Sequence, residues 1–533
     1  MAFGATKIPY QHTGFFSKIV IDYLNKEADL RPFFKHEVNT NSLQDAIQQR
    51  LAFDTNRNIL VSALEAQYQN IPITETVKQN ISLLKKATTF TITTAHQPNI
   101  FTGPLYFLYK ILHAIRLSEY CKAQFPQYDF VPVYYMGSED ADLDELGHIF
   151  IQGKKITWNT NQTGAVGRML VDKNFLRLID MIAGEVGIQT FGEEIISIIK
   201  KSYTEGEIIQ VATLKLVNEL FGKYGLLVVI PDNSILKAIA TEIFKEELLQ
   251  GHSLKIVEET GLQLNEAGYN AQAHSRAINL FYLKDDLRER IEKNGEDWKV
   301  NNTDVSFSKD ELLKELIEHP ERFSPNVILR GIFQETILPN IAFIGGGGEL
   351  AYWLQLKALF DFYKVPYPML LLRNSFLIID EKSSVHINKL GLSPIDIFKP
   401  VLELQNSWTE KNTTNNLSVD TSLQMANDLY KNLSQQALSI DSTLLQHIEA
   451  LKTAAIKRID LLGKKMLRAE KRNHETAMRQ IEKLKQKLFP NHNLQERIDN
   501  FIPYYAKYGA GLIDELYKNS LAVEQEFIVL EKI

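Results

Sequence analysis

Four clusters of side chains in this sequence could do chemistry, and each follows a short strand-like stretch. In the first, His96, Gln97 and Asn99 lie within four residues, and all three can donate hydrogen bonds to phosphate or carboxylate oxygens. The second, Gly137-Ser138-Glu139-Asp140-Ala141-Asp142-Leu143-Asp144-Glu145, holds five carboxylates. Acids at i and i+2 of a loop can share a cation or an ammonium group, or accept a proton from an attacking amine. The third is Gly345-Gly346-Gly347-Gly348, followed by Glu349 at the head of an amphipathic helix. Consecutive glycines let backbone approach a ligand closely, and a helix start favours an anion. No Lys-Ser or Lys-Thr follows, so this is not a Walker loop. The fourth is Arg373-Asn374-Ser375, whose permanent guanidinium suits a carboxylate or phosphate, or an internal acid.

The elements that must position these groups read as alternating strands and helices. Phe90 to Thr94 is a strand, and Leu105, Leu108, Leu112 and Ile115 follow at helical spacing, with Pro104 just inside the start and Thr102 or Gly103 as cap. Free N–H groups of that turn would point back into the loop and hold an anion. Further buried strands are expected at Phe130 to Met136, Leu226 to Ile230, Ile341 to Ile344 and Met369 to Leu372. The pattern predicts an α/β protein whose ligands bind beyond the carboxyl ends of the strands. Residues 149 to 171 read as a hairpin-like insertion, and β-type pieces at 268 to 283 and 300 to 307 flank Arg288 and Arg290, as a second insertion or an edge of the cleft.

Residues 1 to 85 read as mostly helical and polar, and 405 to 424 have the Asn, Thr and Ser content of a linker. Leu444, Ile448, Leu451, Ala455, Ile459, Leu462, Met466 and Ala469 then recur in steps of three and four. This stripe predicts a coiled coil and dimerisation through it. After Pro490, residues 494 to 518 read as a short helical tail folding back. The expected organisation is therefore 1–147, the first half of the core with an N-terminal helical segment; 148–221, a connecting insertion; 222–404, the second half with a small insertion near 265–310; and 405–533, linker and coiled-coil dimerisation domain.

Composition narrows the function. A net charge of -6 gives no general attraction to nucleic acid or anionic lipid. With 44% hydrophobic and 23% charged residues the chain is ordinary for a globular protein, and at 533 residues it exceeds one core. Cys121, the one cysteine, falls in an apolar helix and reads as a core residue. No basic start with a long apolar run and no stretch of about 18 apolar residues is present. A cytoplasmic protein is expected.

Five blocks together resemble one family, the cysteine ligases of bacillithiol biosynthesis, BshC. They are AHQPNIFTGPLY (95–106), VPVYYMGSEDADLDELGH (131–148), FSPNVILRGIFQETILP (323–339), FIGGGGELAYWLQL (343–356) and LLLRNSF (370–376). The resemblance implies a Rossmann-like core related to class I aminoacyl-tRNA synthetases, with small connecting insertions and a C-terminal α-helical coiled coil joining two subunits. It implies addition of cysteine to the amino group of glucosaminyl malate, with ATP or another adenine nucleotide as activator and Mg²⁺ alongside, and no metal held by the protein itself. His96, Asn99 and Asp140 would be catalytic. His96, Thr102, Gly103 and Gly345, Gly346, Gly347 and Gly348 would hold the nucleotide. Glu139, Asp142, Arg330, Glu349, Arg373, Asn374 and Ser375 would hold substrates. Position 141 is Ala where the family's acidic block carries His, so no histidine role falls there. A metal-dependent hydrolase using His148 with the acidic block, a catalytically silent nucleotide sensor and an RNA-binding remnant are the competing readings.

Overall fold

The computed structural model describes residues 3–532; Met1, Ala2 and Ile533, at the outer ends of the first and last expected ranges, lie outside the described residues. In chain order its strands are β1 (Phe3–Pro9), β2 (Thr89–His96), β3 (Asp129–Met136), β4 (His148–Ile151), β5 (Lys154–Thr157), β6 (Leu227–Val229), β7 (Leu280–Lys284) and β8 (Leu287–Asn294). They continue with β9 (Asp297–Val300), β10 (Ser306–Phe307), β11 (Phe323–Pro325), β12 (Asn340–Gly345), β13 (Met369–Leu372), β14 (Ser375–Ile379) and β15 (Glu526–Lys532).

The core is a five-stranded, all-parallel sheet of order β13-β12-β2-β3-β6. Counted along the chain, this is the 3-2-1-4-5 order of a Rossmann-like sheet, whose direction of winding reverses between β2 and β12. Every residue of β2, β12 and β13 is buried, as expected of parallel strands covered on both faces. Two threonines inside the sheet are paired: the Thr93 hydroxyl donates to Asn340 Oδ1 at 2.8 Å and Thr94 to the Ile344 carbonyl at 2.8 Å. The crossover helix Tyr106–Gln124 is buried over most of its circumference, and Cys121 lies within it. Burial pushes that thiol up to about 12, which suits a core residue.

Two insertions leave the core. One begins with the hairpin β4–β5 and continues through helices Lys173–Val186, Gly192–Ser202 and Ile209–Phe221. The other is an antiparallel sheet of order β10-β9-β8-β7-β11.

Beyond β13 the chain takes two residues, Arg373 and Asn374, to pass into a third sheet, β1-β15-β14, in which β1 and β15 pair antiparallel. Both ends of the described chain thus meet in one sheet. Sequence reading missed β1 and β15, because short strands far apart in sequence are fixed by each other and not by local pattern. The stretch read as a linker from 405 also differs. Helix Val401–Asn412 runs through it with Leu404, Gln405 and Thr409 buried, and the irregular connection is only 413–419. Leu404 and Trp408, one turn apart, outweigh the polar composition: Trp408 Nε1 donates to the Leu390 carbonyl at 2.9 Å.

Helices Asp420–Leu438 and Leu444–Asn473 then pack on each other as a hairpin. Ile448, Ala455, Ile459, Met466 and Ala469 of the stripe are partly covered, whereas Leu444, Leu451 and Leu462 are 40%, 46% and 55% exposed. No helix among the described residues is long and apolar enough to cross a membrane.

Candidate active site

A cavity of about 390 Å³ opens at the carboxyl ends of β2, β3 and β12, at the point where the winding of the sheet reverses. Open α/β sheets bind ligands in this crevice. His96 and Gln97 come from the end of β2, Glu139, Asp140 and Glu145 from beyond β3, and Gly346 to Glu349 from beyond β12.

His96 lies between Tyr106 and Phe107, with ring centroids 5.3 and 5.5 Å away, and its Nε2 has no partner within the protein. Burial holds its imidazole well below the usual range, and the charges of Lys110, Arg330 and Arg373 act in the same direction. It is therefore a neutral ring in the cavity wall with one buried, unsatisfied nitrogen, able to exchange a hydrogen bond but carrying no charge.

The glycine-rich turn is held from behind. Glu349 accepts the Gly346 N–H at 2.8 Å and pairs with Lys110, whose ammonium also donates to the Ala95 carbonyl at 2.7 Å. Lys110 thus ties the end of β2 to the loop after β12. Burial lowers its pKa and the Glu349 charge opposes that shift. Gly346, Gly347 and Gly348 line the cavity at the start of helix Gly347–Tyr363, whose first-turn N–H groups have no intrahelical partners. Gly345 does not line it: it ends β12, where an added Cβ would stand 3.0 Å from both Glu349 Cβ and Phe343 Cε1.

Arg288, Arg330, Arg373 and Arg497 line the cavity. Arg330, from helix Val327–Ile337, donates to the Tyr352 hydroxyl at 3.1 Å. Gly137 makes room for it, since a Cβ there would lie 3.3 Å from Arg330 Nη1. Arg373 lines the cavity but is mostly engaged: it pairs with buried Glu496 at 2.7 Å, donates to Ser375 Oγ at 3.1 Å, and lies over the Tyr106 ring at 4.9 Å. Arg497 reaches in from the C-terminal segment.

On the acidic side, Asp140 accepts from Gln97 Nε2 at 3.3 Å and faces the cavity with Glu145. Glu139 is already paired with the fully buried Lys237, which also donates to the Glu321 carbonyl at 2.9 Å. Asp142 lies outside the wall and caps the short helix Leu143–Leu146, accepting the Glu145 N–H at 3.0 Å.

Several anticipated residues are not brought to the cavity. Asn99, Thr102 and Gly103 are buried in a loop held by Asn500, whose amide donates to the Phe101 and Gly103 carbonyls at 3.0 and 2.6 Å. The start of the next helix is not a free anion site either, because the Leu105 N–H donates to the Asp499 carbonyl at 2.8 Å and the Phe107 N–H to Pro104 at 3.1 Å. Asn374 is internal: its N–H donates to His113 Nδ1 at 3.2 Å and its side-chain amide to the Leu521 carbonyl at 3.1 Å. Ser375 donates to Glu496 at 3.1 Å. His148 accompanies the acidic block only through the Asp144 carbonyl, 2.7 Å from its Nδ1. Among the described residues no three His, Cys, Asp or Glu side chains converge as metal ligands.

Lys110, Tyr106 and Tyr352 were missed from sequence although a signal existed. Tyr106 and Lys110 are one helical turn apart just after His96, and Tyr352 follows Glu349 at i+3 on the same face. Lys237 gave none, since its acidic partner is 98 residues away.

Fold and cavity define a Rossmann-like protein with a cavity at the switch point of its parallel sheet, two insertions and a helical C-terminal region. A family model described as "Bacillithiol biosynthesis BshC, N-terminal Rossmann-like domain" matches residues 3–374, and "Bacillithiol biosynthesis BshC, C-terminal coiled-coil domain" matches 376–532. The chain belongs to the BshC family of bacillithiol biosynthesis. A relative from Flavobacterium johnsoniae is 39% identical over 98% of this chain and 99% of its own, and one from Flavobacterium psychrophilum is 41% identical over 96% of each. One from Cytophaga hutchinsonii is 36% identical over 97% of each. All three carry the name "Putative cysteine ligase BshC". A solved structure from Campylobacter jejuni, described as a "putative arginyl t-RNA synthetase", aligns over 87% of this chain and 96% of its own at 11% identity, with a TM-score of 0.23.

Proposed function

We propose that this chain is an ATP-dependent ligase that forms an amide between the carboxyl group of cysteine and the amino group of glucosaminyl malate, the last step of bacillithiol synthesis. One observation carries the reading: a single cavity joins an open helix start at Gly346–Gly348 to guanidinium groups on one side and free carboxylates on another. The helix start suits phosphate oxygens, the guanidinium groups suit carboxylates, and Asp140 with Glu145 suits an amine. Amide formation from a free carboxylate requires activation. The carboxylate oxygen of cysteine attacks a phosphorus atom of ATP, releasing ADP or pyrophosphate. The sugar amine then attacks the activated carbonyl, passes a proton to Asp140, and expels phosphate or AMP.

In this scheme His96 meets the nucleotide phosphates as a neutral hydrogen-bond partner, and Arg330, with Arg373 also in the cavity wall, meets the malate carboxylates. The acids fit no protein cage for Mg²⁺, which is held chiefly by phosphate oxygens in such nucleotide sites. The exposed leucines on helix Leu444–Asn473 support a homodimer through the helical arm.

A second reading, a nucleotide-binding sensor without turnover, draws support from the internal pairing of Glu139 with Lys237 and Glu349 with Lys110. Mass spectrometry of purified protein with cysteine, glucosaminyl malate, ATP and Mg²⁺ separates the two. The ligase gives the amide with stoichiometric ADP or AMP, and the sensor binds nucleotide with no product.

A further inference from the structure

Arg288 lies on β8 of the antiparallel insertion, outside the Rossmann-like core, yet it lines the same cavity as Arg330. In the β7–β8 ladder Arg288 is opposite Leu283, which puts it diagonal to Phe281 on the same face; its guanidinium carbon lies 3.9 Å from the Phe281 ring centroid. One face of the guanidinium is thus covered. Its Nε is buried and has no acceptor, and no carboxylate lies within ion-pair distance of Arg288 among the described residues. Arg168 and Arg373, by contrast, are paired with Asp232 at 2.6 Å and Glu496 at 2.7 Å. A covered, unpaired guanidinium with an idle donor needs an acceptor from outside the chain.

The hairpin that carries it is fixed by the other insertion. Thr163 Oγ1 donates to the Asp286 carbonyl at 3.1 Å, and Gly164, at φ +82°, packs so closely that a Cβ would stand 2.7 Å from the Asp286 carbonyl carbon. Both the backbone conformation and the space call for glycine there. The contact sets the hairpin tip, two residues from Arg288, against the first insertion.

We infer that Arg288 is a specificity-determining residue that binds a carboxylate of the acceptor substrate together with Arg330. This assignment rests on the ligase reading for the identity of that acceptor. Glu139, Asp140 and Arg330 are the charges that act on Arg288, and Arg330 in turn also feels Glu349 and Lys110 at the glycine-rich turn. Arg288 therefore serves the end of the cavity where an amine and a carboxylate of one molecule are sorted between Asp140 and the two guanidinium groups.

The test is titration calorimetry of the full-length protein with L-malate, glucosaminyl malate, ATP and inorganic phosphate, using wild type, Arg288→Ala, Arg288→Lys and Gly164→Ala. Loss of one charge-assisted contact predicts malate affinity about 10- to 100-fold weaker in Arg288→Ala, with ATP affinity unchanged. Arg288→Lys recovers part of the loss, and Gly164→Ala, which leaves the guanidinium in place, reproduces part of it. Malate affinity within twofold of wild type in Arg288→Ala overturns the inference. So does a wild type that does not bind malate, or a loss confined to ATP and phosphate. If malate responds as expected while the ligase assay yields no amide, the ligase reading fails and the carboxylate assignment stands.

Discussion

Glu496 is the group whose removal should do most damage to the site without touching it. Its side chain is 0% exposed and that of Arg373, its partner at 2.7 Å, is 4% exposed. The carboxylate also accepts the Ser375 hydroxyl at 3.1 Å and the Phe376 N–H at 3.2 Å. Glu496→Ala strands a buried guanidinium and two further donors, and removing one member of a buried pair costs about 3–5 kcal/mol. Glu496→Gln keeps the volume and one acceptor oxygen, but turns an amide NH₂ on the remaining donors, so about 3 kcal/mol is expected. The Tyr106 ring, 4.9 Å from the guanidinium carbon, recovers only a fraction of this.

The assay is urea unfolding by linear extrapolation at two ionic strengths, since a pair this buried is nearly unscreened by salt. Destabilisation below about 1 kcal/mol for Glu496→Ala, or a loss that vanishes in 1 M salt, would refute the reasoning. Arg373 falls in the N-terminal family match and Glu496 in the C-terminal one, so the same pair predicts that a chain ending at residue 374 cannot hold Arg373 in place.

Other outcomes follow from the same geometry. His113 is buried, accepts the Asn374 N–H at Nδ1, and is held down to about 4 from 6.5 by burial. Its folded pKa is depressed, so the unfolded chain binds the extra proton first; stability present above pH 6.5 is lost as pH falls through about 4, by up to about 3 kcal/mol. His113→Gln should flatten that limb of an unfolding free-energy profile. His96→Ala should lower ligase turnover by roughly 10² to 10³, as loss of a preorganised hydrogen-bond partner does, and unchanged turnover removes it from the phosphate role. Because His96 stays neutral, the wild-type pH–rate profile should show no inflection from it near 6.5. Leu451→Glu with Leu462→Glu should convert a dimer to a monomer in light scattering, with the helical content kept; a monomeric wild type disposes of the dimer.

The core was legible because its signals are local. Apolar runs of four or more before Gly137, Gly345 and Arg373, and the alternation of Phe90 to Thr94 before His96, read as strands of an α/β core, and in a parallel sheet the residues just past each strand fall at one edge. Hence His96, Asp140, Gly346 and Arg373 converge although 277 residues separate the first from the last. What could not be read was which polar groups reach the cavity. Asn99 and Thr102 look available in sequence, and only the placement of Asn500 turns their loop into packed structure, in which Asn99 Oδ1 and Thr102 Oγ1 are buried away from the cavity wall. Asp142 and Asp140 are two positions apart and indistinguishable in type, yet one caps a helix and the other faces the cavity.

That division also says where the chemistry has room. Glu349 and Glu139 each meet a buried lysine, and Arg373 meets a buried glutamate, so these groups are spent on holding the glycine-rich turn, the insertion and the C-terminal segment in register. Their charges are largely neutralised before a ligand arrives. The groups left with open valence are the His96 nitrogen, the N–H groups at Gly347 and Gly348, the acids Asp140 and Glu145, and the guanidinium groups of Arg288, Arg330 and Arg497. Opposite charges at the two sides of one cavity favour a ligand that itself carries both signs over a simple anion. A pure dianion would gain from the arginines but face Asp140 and Glu145, whereas an amino acid or amino sugar acid meets a partner at each end.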